Sequence, residues 1–142
     1  PTAYLGAPCI VGENSEVRHC AFIRGAALVG KNCVVGNSAE LKNAVLFDGA
    51  QVPHFNYVGD SVLGYKSHLG AGAVTSNVKS DKTPVAMKRG EETIGCNAVL
   101  NPGTIIGRNA TVYPLSRVRG TVEENSIFKA EGNIVKKRRA GV

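Results

Sequence analysis

Residues 17–36 read V-R-H-C-A-F-I-R-G-A-A-L-V-G-K-N-C-V-V-G, and in them Val17, Ile23, Val29 and Val35 fall at every sixth position. The series extends back through Val11 to Leu5 and forward through Leu41 to Phe47. Glycine follows several members, at Gly6, Gly12, Gly30 and Gly36. Four places after most of them stands a small residue: Cys9, Ser15, Ala21, Ala27, Cys33, Ala39. A helix repeats every 3.6 residues and a strand every two, so a period of six belongs to neither alone. It fits short strands joined by tight turns and wound into a parallel coil, each hexad forming one flat side. The aliphatic residue points to the axis, the glycine eases the turn, and the small residue fits where coils stack.

The register continues with slips. Val52, Val58, Leu63 and Leu69 carry it on with one step of five, and it resumes at Ile94, Leu100, Ile106, Val112 and Val118. An antiparallel sandwich would instead alternate at period two with varied spacing. The sequence therefore predicts an all-β chain, a single-stranded parallel β-helix of hexapeptide repeats over residues 1–122. Residues 78–93 (V-K-S-D-K-T-P-V-A-M-K-R-G-E-E-T) leave the pattern and read as an irregular charged coil or loop. Residues 123–142 read as a basic C-terminal tail ending in Lys136, Lys137, Arg138 and Arg139.

Composition agrees with a thin prism filled by aliphatic residues: among 142 residues there are 17 glycines, no Trp, and only 6% aromatics. No apolar run reaches membrane-spanning length and no signal peptide is visible, so no membrane partner is expected. The chain opens at Pro1 rather than Met, as a fragment does. The four cysteines form no C-x-x-C pair. Cys9 and Cys33 occupy small inward slots, where a thiol acts as a small hydrophobe, so a reduced, cytoplasmic protein is expected. The formal charge is +6, but no stacking aromatics accompany the basic runs, so nucleic acid is not an expected partner. A solvated tail, or a patch attracting a phosphorylated small molecule, both fit this charge.

Between Arg24 and Asn77 the side chains stop resembling hexad filler. Glu40, Lys42, His54, Asn56, Tyr57, Asp60, His68 and Asn77 crowd the coils where the register slips, and a slip or bulge redirects side chains. Pro53 holds the backbone extended before His54 and fixes the direction of its imidazole. A lone histidine on a coil is ordinarily a hydrogen-bonded surface residue.

The segment V-G-N-S-A-E-L-K-N-A-V-L-F-D-G-A-Q-V-P-H-F-N-Y-V-G-D (35–60), with L-G-A-G-A-V-T-S-N (69–77), resembles the left-handed β-helix domain of the bifunctional N-acetylglucosamine-1-phosphate uridyltransferase/glucosamine-1-phosphate acetyltransferase family. The family's V-G-N-x-x-E-x-K, H-x-x-Y-x-G-D and I-G-A-G-x-x-x-x-N motifs align here, within a similarity spanning roughly residues 10–120. The left hand of the coil is implied by this resemblance alone, since physics favours right-handed crossovers. The resemblance implies an acetyl-coenzyme A-dependent N-acetyltransferase acting on an amino-sugar phosphate, assembled as a homotrimer with sites between prisms. Arg24 and Lys42 would hold the phosphate, and His54 would be the general base. Tyr57 and Asn77 would position sugar and acetyl donor, with Asn77 in the catalytic group. The turn at Gly70 and Ala71 would approach the thioester, where a backbone N–H meets the developing oxyanion, and Cys96 would line the coenzyme groove. No metal is implied.

The chain departs from the family at named places. Val78-Lys79-Ser80 replaces an aromatic–acidic–glycine run, and His68, which the resemblance would put in the substrate pocket, stands where the family usually has asparagine. No arginine of the terminal region matches the coenzyme-binding arginine. The nucleotide signature of the uridyltransferase domain is absent from these residues. Two other readings remain: a non-catalytic, trimerising or ligand-binding domain of a UDP-N-acetylglucosamine pyrophosphorylase-related protein, and a β-helix carbonic anhydrase. The latter needs three zinc-binding histidines, two close in sequence, and His19, His54 and His68 lack that spacing. Arg24 and Lys42 are eighteen residues apart, which predicts one face on adjacent coils. Twelve residues on, His54 is expected near the same cleft.

Overall fold

The computed structural model describes residues 2–76, 92–130 and 132–137. Among these there is no helix. Eighteen short strands, β1–β18, wind into a three-faced parallel β-helix. The first face stacks β1 (Tyr4–Leu5), β4 (Phe22–Val29), β6 (Glu40–Leu46), β8 (Tyr57–Leu63), β10 (Val74–Thr75), β12 (Val99–Leu100) and β15 (Arg117–Val118). Strands β4, β6 and β8 turn a corner and continue onto the second face, where β2 (Cys9–Val11) pairs with the far half of β4. Further along, β13 (Ile105–Ile106) and β16 (Thr121–Val122) take that face. The third face stacks β3 (Glu16–Val17), β5 (Val34–Asn37), β7 (Gln51–His54), β9 (His68–Leu69), β11 (Thr93–Ile94), β14 (Thr111–Val112) and β17 (Ser126–Ala130). The final strand, β18 (Asn133–Lys136), runs antiparallel to β17 and closes this sheet.

Corners explain the period. A backbone in the left-handed region recurs at Asn14, Cys20, Ala26, Asn32 and Ser38, each six residues on, with φ between 50° and 57°. Such φ values are uncommon for side-chain-bearing residues, and here each one turns the chain to the next face. Ser38 is followed by Asn43 (φ 49°) after five residues, and Phe55 (φ 52°) by Asp60 (φ 46°) after five. The register records these deletions: Tyr4 pairs with Phe22, eighteen on, but Glu40 pairs with Tyr57, seventeen on.

The inward columns are the expected ones, with one correction. Ile23, Val29, Val35, Leu41, Val52, Val58, Leu63, Leu69, Ile94, Leu100, Ile106, Val112 and Val118 are all buried. Phe47 is not in the series. The five-residue step moves the inward slot to Leu46, which is 2% exposed, and leaves Phe47 on the outside at 53%. Leu5 is exposed because nothing among the described residues stacks on its outer side. Small-slot positions also hold buried polar residues, the hydroxyls of Ser67, Thr104 and Ser116 and the larger Asn56 and Glu92, and Thr75 replaces an aliphatic residue. The repeat also runs past the boundary expected at 122: β17 stacks on β14 and buries Phe128. The expected loop at 78–93 lies outside the described residues, except Glu92 and Thr93, which already belong to the coil.

Two substitutions test this packing. Leu46→Ala should lower unfolding free energy by about 2–5 kcal/mol. A methyl at Gly36 would overlap the Pro53 carbonyl of the next coil, so Gly36→Ala should cost at least about 3 kcal/mol. Urea melts of both variants measure these losses.

Candidate functional site

The residues expected to bind the sugar phosphate gather at the edge between the first and second faces. Arg24 lies where the register shifts between Ile23 and Gly25, and Lys42 pairs with Gly59 of the next coil. The two cations thus share the first face on adjacent coils. Tyr57 lies along the same face, its ring over Gly59, where any side chain would collide with it. Beneath, the Thr75 hydroxyl accepts the Gly59 N–H at 3.0 Å, so this strand is pinned from inside.

Both cations already face carboxylates. Arg24 Nη1 is 3.5 Å from Glu40 Oε1, and Lys42 Nζ is 3.1 Å from Asp60 Oδ2. Asn43 Nδ2 donates to the other Asp60 oxygen at 2.7 Å. Acid and base therefore alternate up the edge, and the stacked like charges read from the sequence are offset without an added anion. Pairs this exposed are worth about 0–1 kcal/mol each, little enough for an incoming phosphate to displace a carboxylate.

The expected base and coenzyme residues occupy the opposite edge, between the third and first faces. His54 ends β7, paired in register with Asn37, and its side chain is exposed. Its backbone N–H donates to Asn56 Oδ1 and its carbonyl accepts the Gly72 N–H, each at 3.0 Å. Ala71 and then Cys96 follow up the same column on successive coils. The Gly70 N–H donates to Ile94 O and the Asn97 N–H to Ala71 O, which locks these coils together. A side chain at Gly70 would press on the Cys96 nitrogen at 2.6 Å. The edge above His54 is consequently a saddle of small residues.

His54 and Lys42 do not share a cleft within one chain, contrary to the sequence expectation. The corners at Phe55 and Asp60 bound the first face, and five extended residues span on the order of 15 Å. His68 lies outward on the third face, its Nδ1 3.2 Å from Gln51 Oε1. Burial, and then the nearby His54, push its pKa below the ordinary value of 6.5. Asn77 lies outside the described residues. A shallow cavity of about 360 Å³ between Ile105, Arg108, Thr121 and Glu124 touches none of the expected site residues. Thr75 escaped the sequence reading, and Asn56 was read as polar without a role. Their signal was a polar residue in phase with an inward slot.

Residues 5–87 match the family described as the GMPPB C-terminal domain, which covers more than half of the chain. The chain belongs to that family. This member of the GMPPB C-terminal domain family is also similar to the bifunctional protein GlmU of Staphylococcus epidermidis, 31% identical over 128 residues, or 90% of this chain. The chain spans 28% of that relative's length. Among solved structures, UDP-N-acetylglucosamine acyltransferase from Campylobacter jejuni superposes at TM-score 0.70 and 16% identity, over 92% of this chain and 64% of that one. AntD, an N-acyltransferase from Bacillus cereus in complex with dTDP and 3-hydroxybutyryl-CoA, gives 0.68 at 12%, over 91% and 83%. At these identities the likeness shows the fold.

The pKa of His68 makes a stability prediction. A folded value below the unfolded one means that the unfolded chain takes up the proton first as pH falls. Stability is complete above about pH 6.5 and is lost on acidification below it. His68→Gln should therefore flatten the fall in urea midpoint between about pH 7 and pH 5, whereas parallel curves for both proteins would remove His68 from this linkage.

Proposed function

We propose that the domain transfers an acetyl group from acetyl-coenzyme A to the amine of an amino-sugar phosphate, at sites completed by neighbouring chains of a homotrimer. One observation carries this reading. The base and coenzyme residues (His54, Gly70, Ala71, Cys96) line one edge, the phosphate residues (Arg24, Lys42) line the other, and Tyr57, read as positioning the sugar, lies on the face between them. One chain carries both halves but keeps them apart, so a second chain must supply the missing half.

The second face supplies a reason to associate. Ile10, Leu28, Val45 and Val62 are in register up its outside, with Ile10 65% and Leu28 49% exposed. Phe47 adds to this face. A continuous apolar column is a usual mark of an interface, and a closed ring buries it on every copy. The 3-hydroxybutyryl-CoA in the AntD complex and the acyltransferase name of the Campylobacter neighbour support the donor class. The unpaired cysteines support a reducing cytoplasm.

In this reading the His54 imidazole takes a proton from the amine as its nitrogen attacks the thioester carbonyl. Negative charge moves to the carbonyl oxygen. Of the three N–H groups at Gly70–Gly72, those of Gly70 and Gly72 are engaged with Ile94 and His54 carbonyls. Among the described residues, that leaves the Ala71 N–H for the oxyanion. Collapse re-forms the carbonyl as an amide and expels the thiolate, which leaves as the thiol after taking up a proton. Arg24 and Lys42 hold the acceptor's phosphate after exchanging partners with Glu40 and Asp60. Those resting ion pairs favour a second reading, a ligand-binding or trimerising domain without catalysis, in which the carboxylates remain the permanent partners.

Acetyl transfer assayed by thiol release separates the readings. His54→Ala should lower kcat by about 10²–10⁴-fold with the assembly intact. Lys42→Ala should raise KM for a phosphorylated acceptor far more than for its unphosphorylated analogue. With phosphorylated acceptor below the raised KM, mixed assemblies of His54→Ala and Lys42→Ala chains should be more active than either variant alone, because some interfaces then combine an intact His54 with a neighbour's intact Lys42. Absence of complementation would place each site within one chain.

A further inference from the structure

We infer that Asn56 is a positioning residue that sets the base and the oxyanion-binding amide at their working separation, an inference that rests on reading His54 as the base. In neighbouring coils the same inward slot holds Ala21, Ala39, Ala73 and Ala98, all buried. Asn56 is 3% exposed there, a costly place for an amide unless each polar atom is matched. Each one is. Asn56 Oδ1 accepts the His54 N–H at 3.0 Å, and Nδ2 donates to Gly70 O at 2.8 Å and Ala73 O at 3.0 Å. The chemistry fixes the orientation of the amide. Turned over, it would set N–H against N–H and oxygen against two carbonyls.

The three partners decide what the contact does. His54 carries the imidazole, and Gly70 and Ala73 flank Ala71, whose N–H is left for the oxyanion. One buried side chain therefore ties the backbone under the base to the turn that presents the amide, across two coils. The return bond, from the Gly72 N–H to the His54 carbonyl at 3.0 Å, closes the loop. Alanine fills the slot in other coils, so packing alone does not call for asparagine. A group that must be held to a fraction of an ångström does.

The test compares Asn56→Ala and Asn56→Ser with Thr104→Val. Thr104 is an equally buried hydroxyl, bonded to the Asn101 and Val118 carbonyls and remote from the His54 corner. Below the melting midpoint of each variant, the Asn56 substitutions should lower kcat by about ten- to a hundredfold with KM changed less than about twofold. Thr104→Val should lose stability only. With three histidines in the chain, the His54 ring signals can be assigned by NMR, and they should shift or double in both Asn56 variants. Unmoved His54 signals, or a kcat within about twofold of the parent in whichever Asn56 variant folds, overturn the inference. If the parent protein transfers no acetyl group, the acetyltransferase reading fails, and the NMR comparison alone decides whether Asn56 positions His54.

Discussion

Everything in this molecule depends on coil-to-coil hydrogen bonding that stacks each backbone rung on the one before it. Because the rungs are parallel and in register, a residue meets its counterpart one coil away, eighteen or seventeen positions along in the first coils and sixteen in the last. Side chains consequently sort into columns. Inside columns are filled by aliphatic and small residues, and outside columns become stripes of a single chemistry. The apolar run of Ile10, Leu28, Val45 and Val62 is one such stripe, and the alternating charges from Arg24 to Asp60 are another. Function in such a fold belongs to columns and edges rather than to loops gathered around a pocket.

The shortened coils show how a small change in count redirects chemistry. Dropping one residue between Ser38 and Asn43, and again between Phe55 and Asp60, tightens the same corner on successive coils. Lys42, Asn43 and Asp60 are brought together there, and both donors reach one carboxylate. Full six-residue steps at both corners would have kept the regular eighteen-residue offset between these coils.

Most of the fold was legible because an inward slot tolerates so few residue types that period six survives in the letters. The reading failed where two neighbours were equally apolar. Leu46 and Phe47 both satisfy the pattern, and only the hidden five-residue step decides which is buried. From Leu115 the corners come every five residues, at Gly120 and Asn125, and Thr111 pairs with Ile127 only sixteen on, so Phe128 escaped the expected series. The candidate site divides in the same way. The resemblance carried by the motifs named Arg24, Lys42, Tyr57, His54, Gly70, Ala71 and Cys96 as candidates. Which edge each occupies depends on where the corners fall, and although Asn is the commonest corner residue, Ala, Ser, Cys and Phe mark corners too. The carboxylate partners of Arg24 and Lys42 were visible as residues but not as pairs, because pairing depends on the register between coils.

A three-sided prism is convex along its whole length. Flat faces meet at outward corners, so at the candidate edges the described residues offer a small molecule a wall rather than an enclosure. Catalysis by acyl transfer needs the opposite, a place where water is excluded and two reactants are held in line. The proposed chemistry therefore calls for a second surface, and the distribution of residues is the ground for where it would belong. The base edge carries the small-residue saddle and lacks cations among its expected members. The phosphate edge carries the cations and lacks a base. Each edge is incomplete in the respect that the other supplies, and the apolar column on the second face offers the adhesion that would bring two prisms edge to edge. In the proposed function, assembly would create the cleft for the chemistry, and the stacked coils would keep the two halves aligned once they meet.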